Sequence, residues 1–383
     1  MAEFKKIKIS IAEIALLLSI ICVFNLGHDL TLHLHNSWLL SEMIETGSFS
    51  FYDKYMALGK QLTFNYGLIS YFTSGIIFPI FKERTIDIIE AVLLFLEYLL
   101  LKKWFKSNRL IAFNLIFLTS AVVIADSYTA IFSNFFFFIS LFGYFNKKKW
   151  WNLPLFISVI NHPFNVISSF YFLFRKEKKS FYPILAGIIY HGIIFLAVRN
   201  LTSLPFYMPF IIISRVFLNL SPVILGFLFD EVKENSLEIL KKINFRTPAI
   251  MSTVLTGIFM YMIIVPALSV DPPKNEMLDE NFLNGIPKME GIINIIDYIS
   301  FPGYYWLHQE NLTSLYGIFR ENNNRHFVSK FWENKEDYTN FIETNNVNYI
   351  LECKKCNPPS NEKEFVVQFE KIWENDYYRL WKI

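Results

Sequence analysis

Apolar runs of membrane-spanning length recur along the first 270 residues, and they limit the architecture more than any other feature of the chain. A bilayer core accepts helices of roughly 20 apolar residues, because every backbone polar group must be hydrogen-bonded within the segment. The composition agrees, since 53% of the residues are hydrophobic and only 18% are charged. We therefore expect a polytopic α-helical membrane protein of about nine spans. The runs cover residues 7–26, 86–101, 110–125, 128–145, 150–160, 166–174, 181–198, 207–229 and 248–270.

Short basic clusters between the runs predict their orientation. Lys and Arg collect on the cytoplasmic side of membrane proteins, and the clusters share one side only if the apolar stretch 64–84 does not cross the bilayer. We therefore interpret residues 64–84 as a re-entrant or interfacial segment on the outer face. This topology predicts a multi-pass cell-membrane protein with a cytoplasmic N-terminus and an external loop at residues 27–84. The clusters are centred on Lys5, Lys103, Lys148, Lys178 and Lys241.

Residues 271–383 differ from the preceding chain, because polar and charged residues become dense after the proline-containing exit "VDPPKNE". This change predicts a separate, external, soluble α/β domain after the membrane domain of residues 1–270. Within it, "EDYTNFIETNNVNYILEC" predicts a helix, a turn and a buried strand, and "KEFVVQFEKIWENDYYRLWKI" predicts two strands around a turn at Glu374. We expect Cys353 and Cys356 in the turn between strands. One CxxC is half a zinc site, so a disulfide or a reduced pair is favoured over a metal.

Two aspartates are placed where apolar runs end. Asp29 lies in "GHDLTLHLH", directly after the first run, and Asp126 lies where two runs meet almost without a loop. The predicted topology puts both on the outer side, where an ionisable group close to lipid is commonly functional. Each aspartate could equally cap the helix that follows it. If the stretch after Asp29 is helical, His33 or His28 could orient its carboxylate or share its proton.

The order of these features resembles the GT-C superfamily, the integral-membrane glycosyltransferases that use polyprenyl-phosphate-linked sugars. The shared features are one span before a large outer loop, an acid that opens this loop, the stretch "GKQLTFNYGLISY", a second acid after the third span, and an external C-terminal α/β domain. "GHDLTLHL" is most similar to an uncharacterised prokaryotic branch with a Gly-His-Asp opening. The resemblance covers the arrangement of most of the chain and rests on short motifs.

The resemblance implies an activity and roles for particular residues. The activity would be transfer of a sugar from a polyprenyl-phosphate donor to a glycolipid or glycoprotein acceptor at the outer membrane face. Asp29 matches the catalytic base, Asp126 matches the acid that helps to position the acceptor or a metal, and Tyr66 with Gly67 matches the segment that lines the donor site. Many members carry two acids in the first loop, whereas here His28 precedes a single Asp29. Whether a divalent metal takes part stays open.

Sugar transfer of this kind also needs a cation beside the departing phosphate. Arg215 lies inside an apolar run, and Arg199 lies at the outer end of the preceding run. Guanidinium groups match phosphate geometry, and an arginine at membrane depth should face a cavity or a partner. Arg215 could equally extend to the interface, or pair with Glu90 or Glu97.

Histidines supply two further candidates. His162, in "NHPFN" between two short runs, could line an outer cavity or only satisfy backbone groups freed by the helix break. His28, His33 and His35 could bind a metal, but alternate residues of one helix point in different directions. We therefore favour structural roles for these three histidines, or roles in orienting the groups that do the chemistry.

Other functions remain open on the sequence alone. Glu90, Glu97 and Arg215 would also suit a transporter of a lipid-linked or small polar substrate. A non-catalytic membrane scaffold whose external domain binds a partner is a third alternative. A net charge of +2 gives no reason to expect a nucleic-acid partner.

Overall fold

The computed structural model of the chain describes residues 30–50, 52–53, 55, 61–62, 67–104, 128–198, 285–296, 312–314, 335–354, 362–376 and 378–383. These residues belong to two compact units. The helical unit contains the described residues 30 and 67–192, and the mixed unit contains those at 31–62, 193–198 and 285–383. The described residues 31–62 of the predicted loop thus group with the C-terminal segment, whereas residues 67–84 belong to the helical unit.

The described helices follow the predicted apolar runs closely. The helix that we label α4 has the bounds expected for the run 128–145, and α7 has those expected for the run 181–198. The helices are α1 (Leu30–Thr46), α2 (Leu68–Phe81), α3 (Thr85–Trp104), α4 (Tyr128–Phe145), α5 (Asn152–Asn161), α6 (Pro163–Phe174) and α7 (Phe181–Val198).

A single residue separates α5 from α6. His162 is extended, with φ −145° and ψ 129°, and Pro163 opens the next helix. Proline disfavours helical geometry in the residue before it, and it fits the first position of a helix because no N–H is needed there. The sequence His162-Pro163 therefore ends α5 and starts α6 at the same point.

The stretch 64–84 contains helix α2, which is followed by a short 3-10 turn, Lys82–Arg84. Gly67 precedes α2 with φ +81°, in the left-handed region that favours glycine. The proposed outer-face placement of this stretch stays a prediction.

Aromatic side chains form the apolar core of the helical unit. Trp151 stacks on Phe172 with ring centroids 4.8 Å apart, and Phe137, Leu141 and Leu155 pack in the same cluster. Helices α4, α5 and α6 contribute most of these side chains, so this core holds the two short helices against the longer one.

Besides its apolar core, the helical unit buries polar residues and exposes apolar ones. Several serines and asparagines are fully buried, among them Ser133, Ser158 and Asn161. Some large apolar side chains lie on the surface, where Ile80 is 74% exposed and Phe174 is 75% exposed. Helices in lipid pack through small and polar residues and present apolar residues outward. By length and composition, one described helix, α4, could cross a membrane.

The mixed unit contains a five-stranded sheet of order β4-β3-β5-β7-β6. Strand β3 runs parallel to β4 and β5, whereas β7 runs antiparallel to β5 and β6. Helix α8 (Lys335–Thr344) leads into β5, and a short helix, α9 (Glu362–Phe365), precedes β6. The strands are β3 (Gly291–Ile296), β4 (Leu312–Ser314), β5 (Tyr349–Cys353), β6 (Glu370–Glu374) and β7 (Tyr378–Lys382), and the separate pair β1 (Tyr52–Asp53) and β2 (Gln61–Leu62) is antiparallel.

The sequence predicted most of the C-terminal elements, with two corrections. The first residues of the stretch that begins at Lys363, expected to belong to a strand, instead form α9 and a short 3-10 turn, Val366–Gln368. The helix, turn and strand at 335–353 and the two strands around Asn375 are present. Cys353, however, is the last residue of β5 and pairs with Tyr378, because β7 is long enough to extend the ladder to this position. Cys353 therefore does not lie in the turn, and Cys356 lies outside the described residues.

Candidate functional site

Two of the eight predicted site residues, His33 and His162, lie in the described part of the chain, and both are buried. The other six lie outside the described residues: His28, Asp29, Tyr66, Asp126, Arg199 and Arg215.

The side chain of Asn161 connects three helix ends in the helical unit. Its Oδ1 accepts a hydrogen bond from the Ser70 backbone N–H at 2.9 Å. Its Nδ2 donates to the Thr129 carbonyl oxygen at 2.9 Å and to Ser133 Oγ at 3.0 Å. One amide thus joins the start of α2, the start of α4 and the end of α5. The first N–H groups of a helix have no partner within the helix, and Asn161 satisfies one of them.

Backbone and hydroxyl contacts complete this arrangement, which we call the Asn161 junction (Gly67, Ser70, Tyr128, Thr129, Ser133 and Asn161). The Gly67 N–H donates to the Asn161 carbonyl oxygen at 2.7 Å. The Tyr128 hydroxyl donates to the Ser70 carbonyl oxygen at 2.7 Å. A Cβ at position 67 would overlap the side-chain methyl of Thr129, so the close approach of these segments requires glycine as much as the positive φ does.

Three predicted site residues are close in the sequence to members of the Asn161 junction. In the chain, Tyr66 precedes Gly67, Asp126 is two positions before Tyr128, and His162 follows Asn161. The sequence pointed to these neighbours but not to Asn161, Ser70 or Thr129. The signal that could have found Asn161 is its place beside the proline break, where freed backbone groups need a polar partner.

Some buried polar atoms of the helical unit have no hydrogen-bond partner among the described residues. They are Thr129 Oγ1, Asn165 Oδ1 and both amide atoms of Asn134. Asn165 uses its Nδ2 to donate to Ser158 Oγ at 2.7 Å. Buried groups of this kind normally bind water or a polar ligand, so the interior of the helical unit has hydrogen-bonding capacity left for either.

A second polar centre lies in the mixed unit, where His35 of α1 meets Asp53 of β1. His35 Nε2 and Asp53 Oδ2 are 2.7 Å apart, and both side chains are 0% exposed. The other carboxylate oxygen, Oδ1, accepts a hydrogen bond from the Tyr55 backbone N–H at 2.8 Å. The rings of Trp38 and Tyr55 flank the imidazole at centroid distances of 5.8 and 6.0 Å. The two residues thus form a histidine–carboxylate pair inside an aromatic enclosure.

Helix α3 also carries a fully buried acid, Glu97. A carboxyl group enclosed by apolar helices is costly, and it commonly marks a site or a specific ion pair. Arg215, its predicted partner in one interpretation, lies outside the described residues.

The C-terminal sheet carries a charged cluster around Glu374. The carboxylate lies 2.8 Å from Lys354 Nζ, 2.6 Å from Lys371 Nζ and 3.1 Å from Arg379 Nε. Hydrogen bonds from these three cations lower the pKa of Glu374 from 4.5 to about 2. Because the cations are already engaged, we interpret this cluster as a contact between strands and not as a ligand site.

Within the described ranges, no group of three or more His, Cys, Asp and Glu side chains is arranged to hold a metal ion. The metal hypothesis for His28, His33 and His35 depends partly on His28, which lies outside the described residues. The contact with Asp53 fixes the orientation of the His35 ring.

Comparison of the sequence with protein-family models and with curated proteins found no match.

Proposed function

We propose that this chain is a membrane-embedded glycosyltransferase, which moves a sugar from a polyprenyl-phosphate donor to a glycolipid or glycoprotein acceptor at the outer membrane face. The observation that carries the proposal is the Asn161 junction. It joins Gly67, Tyr128 and Asn161, which lie within two positions of Tyr66, Asp126 and His162 in the sequence. Residues distant in the sequence meet there, as a site built from several helices requires.

The surface of the helical unit supports a membrane location. Its exposed side chains include Ile80 and Phe174, and several asparagines and serines are buried beside its apolar core. An isoprenoid donor dissolved in the bilayer can approach such a surface from the side. The sugar and phosphate are polar, so they need the kind of polar interior found around Asn161.

The proposed reaction assigns one task to each predicted residue. Asp29 takes the proton of the acceptor hydroxyl as this oxygen attacks the anomeric carbon. Arg199 and Arg215 stabilise the negative charge on the departing phosphate. Asp126 positions the acceptor, and Tyr66 and His162 line the donor site together with His28 and His33. Whether Asp126 acts through a divalent metal is part of the test.

The proposed topology follows the same assignments. The N-terminus is cytoplasmic, and the chemistry and the C-terminal domain are on the outer side of the cell membrane. The lipid-linked donor must therefore reach the outer leaflet before it reacts with the glycolipid or glycoprotein acceptor.

A deletion strain provides the decisive experiment. Mass spectrometry of its glycolipids and glycoproteins should reveal the loss of one sugar, which the wild-type gene restores. Asp29→Asn removes the base and should fail to restore the sugar at normal membrane abundance. Asp376→Asn is the matched control, since it neutralises an exposed aspartate in the turn between β6 and β7 and should restore the sugar fully. Full restoration by Asp29→Asn would refute the assignment of the base. Sugar transfer by isolated membranes, measured with and without a chelator of divalent metals, tests whether the reaction needs a metal.

The second candidate function is that of a transporter, and the break between α5 and α6 is the observation that favours it. Short helices that end inside a bundle line the substrate sites of many transporters, and Glu97 is a buried acid in the same unit. A transporter predicts that substrate flux survives Asp29→Asn, whereas a transferase predicts that sugar transfer is lost. A scaffold predicts that neither activity changes with any polar substitution.

A further inference from the structure

We propose that the turn between α4 and α5 and the turn between α6 and α7 together form a basic surface that binds the anionic headgroups of membrane phospholipids. We call this surface the lysine face. The proposal goes beyond the proposed function and takes from it only the membrane location of the helical unit. The lysine face consists of Lys147, Lys148, Lys149, Lys176, Lys178 and Lys179.

The two turns lie side by side at one end of the helical unit. The Tyr144 ring, at the end of α4, lies 5.4 Å from the Phe172 ring, near the end of α6. The Tyr144 side chain also interacts with Arg175 and Glu177 of the second turn. Helix α5, which starts after the first turn, lies against the 3-10 turn Lys178–Ser180. Packing thus joins two lysine clusters that are separate in the sequence.

The lysine face carries an excess of positive charge. Glu177 is the only acid in the stretches 145–151 and 174–182, and it already interacts with Tyr144. All six lysines are exposed, and in the described part of the chain none of their side chains has an ion-pair or hydrogen-bond partner. Like charges held close together repel each other, so an external anion stabilises the cluster.

The backbone of both turns places a lysine at a position where glycine is usual. Lys147 has a φ of +51° and Lys176 has a φ of +57°. The residue after each lysine donates its N–H to the carbonyl oxygen five positions earlier, at 2.8 and 3.0 Å. This is a common way to end a helix, and its left-handed residue is most often glycine. Because left-handed geometry destabilises lysine, both turns keep a positive charge at a cost in stability.

Exposed aromatic side chains border the lysine face and favour a lipid over a free anion. They are Trp150, Phe174, Phe181 and Tyr182. Aromatic rings of Trp and Tyr favour the level of the lipid headgroups in a bilayer. A small anion in water would use the lysines alone, whereas a phospholipid uses the lysines for its phosphate and the aromatic rings for its apolar part. Anionic lipids of the cytoplasmic leaflet attract basic clusters of this kind, and the predicted topology places both turns on that side.

The same lysines would also help to orient the adjacent helices during insertion. Orientation needs positive charge on one side of the bilayer, but it does not need the folded protein to bind a particular lipid. Lipid binding by the purified protein therefore separates the two roles.

Competition between two lipids tests the proposal on the full chain. The protein in a neutral detergent is mixed with equal amounts of phosphatidylglycerol and phosphatidylcholine that carry the same acyl chains. Native mass spectrometry then counts the molecules of each lipid that stay bound. The wild type should retain phosphatidylglycerol over phosphatidylcholine by roughly tenfold or more, and added salt should reduce this preference. Equal retention of the two lipids would overturn the proposal.

Two triple variants test whether the lysine face is responsible. Each changes the lysines of one turn to glutamine, and each should lower the preference for phosphatidylglycerol to about half of the wild-type value or less. A control variant removes three exposed lysines of the mixed unit and should keep the wild-type preference. The substitutions are Lys147→Gln, Lys148→Gln and Lys149→Gln in the first variant, Lys176→Gln, Lys178→Gln and Lys179→Gln in the second, and Lys288→Gln, Lys335→Gln and Lys382→Gln in the control.

An unchanged preference in both triple variants would overturn the proposal. The corresponding arginine variants keep the charge and should keep the preference. If a glutamine variant does not accumulate in the membrane, the comparison of the two lipids on the wild type still decides the proposal.

Glycerol phosphate, which is the headgroup without acyl chains, tests for a site that binds free anions. It should displace little phosphatidylglycerol at an equal concentration. Complete displacement would show that the acyl chains and the aromatic side chains contribute nothing, and it would overturn the assignment to lipid.

These results are independent of sugar transfer. Restoration of the missing sugar in the deletion strain, together with equal retention of both lipids, would refute this proposal and leave the proposed function intact. A preference for phosphatidylglycerol in a chain that restores no sugar would refute the proposed function and leave the lysine face as a lipid-binding surface.

Discussion

Gly67 shows how a single residue determines a junction between distant segments. Its φ of +81° lies in the left-handed region, and its Cα approaches Thr129 so closely that a Cβ would overlap the threonine methyl. Its N–H also donates to the Asn161 carbonyl oxygen. The family resemblance assigned Tyr66-Gly67 to the donor site, whereas the geometry gives Gly67 a structural task that glycine alone can perform.

Gly67→Ala should therefore destabilise the protein markedly. Left-handed geometry costs an alanine roughly 1–2 kcal/mol, and overpacking adds about 1–3 kcal/mol. Gly192→Ala is the control, because a Cβ there meets nothing within 4 Å, and alanine stabilises a helix by up to about 1 kcal/mol relative to glycine. Thermal unfolding of the purified protein should show a lower midpoint for Gly67→Ala only. Equal midpoints for the two variants would contradict the packing described at Gly67.

At the scale of helices, α5 and α6 act as one broken element. His162-Pro163 ends one helix and starts the other, and Asn161, directly before the break, uses its side chain to hold α2 and α4. The break would otherwise leave the ends of these helices without partners inside the unit. Asn161 thus combines the roles of helix end and connector.

Two asparagine substitutions in these helices should have different effects on the free energy of unfolding. Asn161→Ala leaves the buried Ser70 N–H without its acceptor, which should cost about 1–3 kcal/mol. Asn134→Leu replaces an amide that has no hydrogen-bond partner among the described residues, and it should be neutral or stabilising. Unfolding midpoints measured in the same detergent compare the two. A loss of stability in Asn134→Leu as large as in Asn161→Ala would show that ordered water or a ligand binds this amide.

At the scale of the molecule, both units combine an apolar core with buried polar side chains. The sheet of the mixed unit packs an apolar core that includes Ile293 and Leu351, and the same unit buries His35 and Asp53. The helical unit has an aromatic core, buries serines and asparagines, and exposes many large apolar side chains, among them Phe174.

A pair of lysine substitutions tests whether lipid covers the exposed apolar side chains of the helical unit. Ile189 in α7 is 52% exposed and Val367 in the mixed unit is 67% exposed. If lipid covers Ile189, Ile189→Lys should make the free energy of membrane insertion less favourable by roughly 2.5–3.5 kcal/mol. A smaller fraction of this variant should then stay in the membrane after an alkaline wash. For Val367→Lys, this fraction should equal that of the wild type. Equal behaviour of the two variants, or a wild-type chain that the alkaline wash releases, would refute the membrane proposal.

The sequence by itself determined the elements whose cause is local. The periodic apolar runs gave the bounds of α4 and α7, Pro163 placed the break at His162, and the turn at Asn375 separated β6 from β7. These features depend on hydropathy and on backbone restrictions within a few residues, which the chain order displays directly.

Only the tertiary structure decided which distant residues meet. Ser70 and Asn161 are 91 positions apart, and His35 and Asp53 are 18 apart, yet each pair is joined by a short hydrogen bond. Such contacts depend on how whole helices and strands pack. A buried polar group needs a hydrogen-bond partner, and the packing decides which group lies close enough to serve. The sequence therefore located the segments that bear candidate chemistry, and packing selected Asn161 and Asp53 as the partners that organise them.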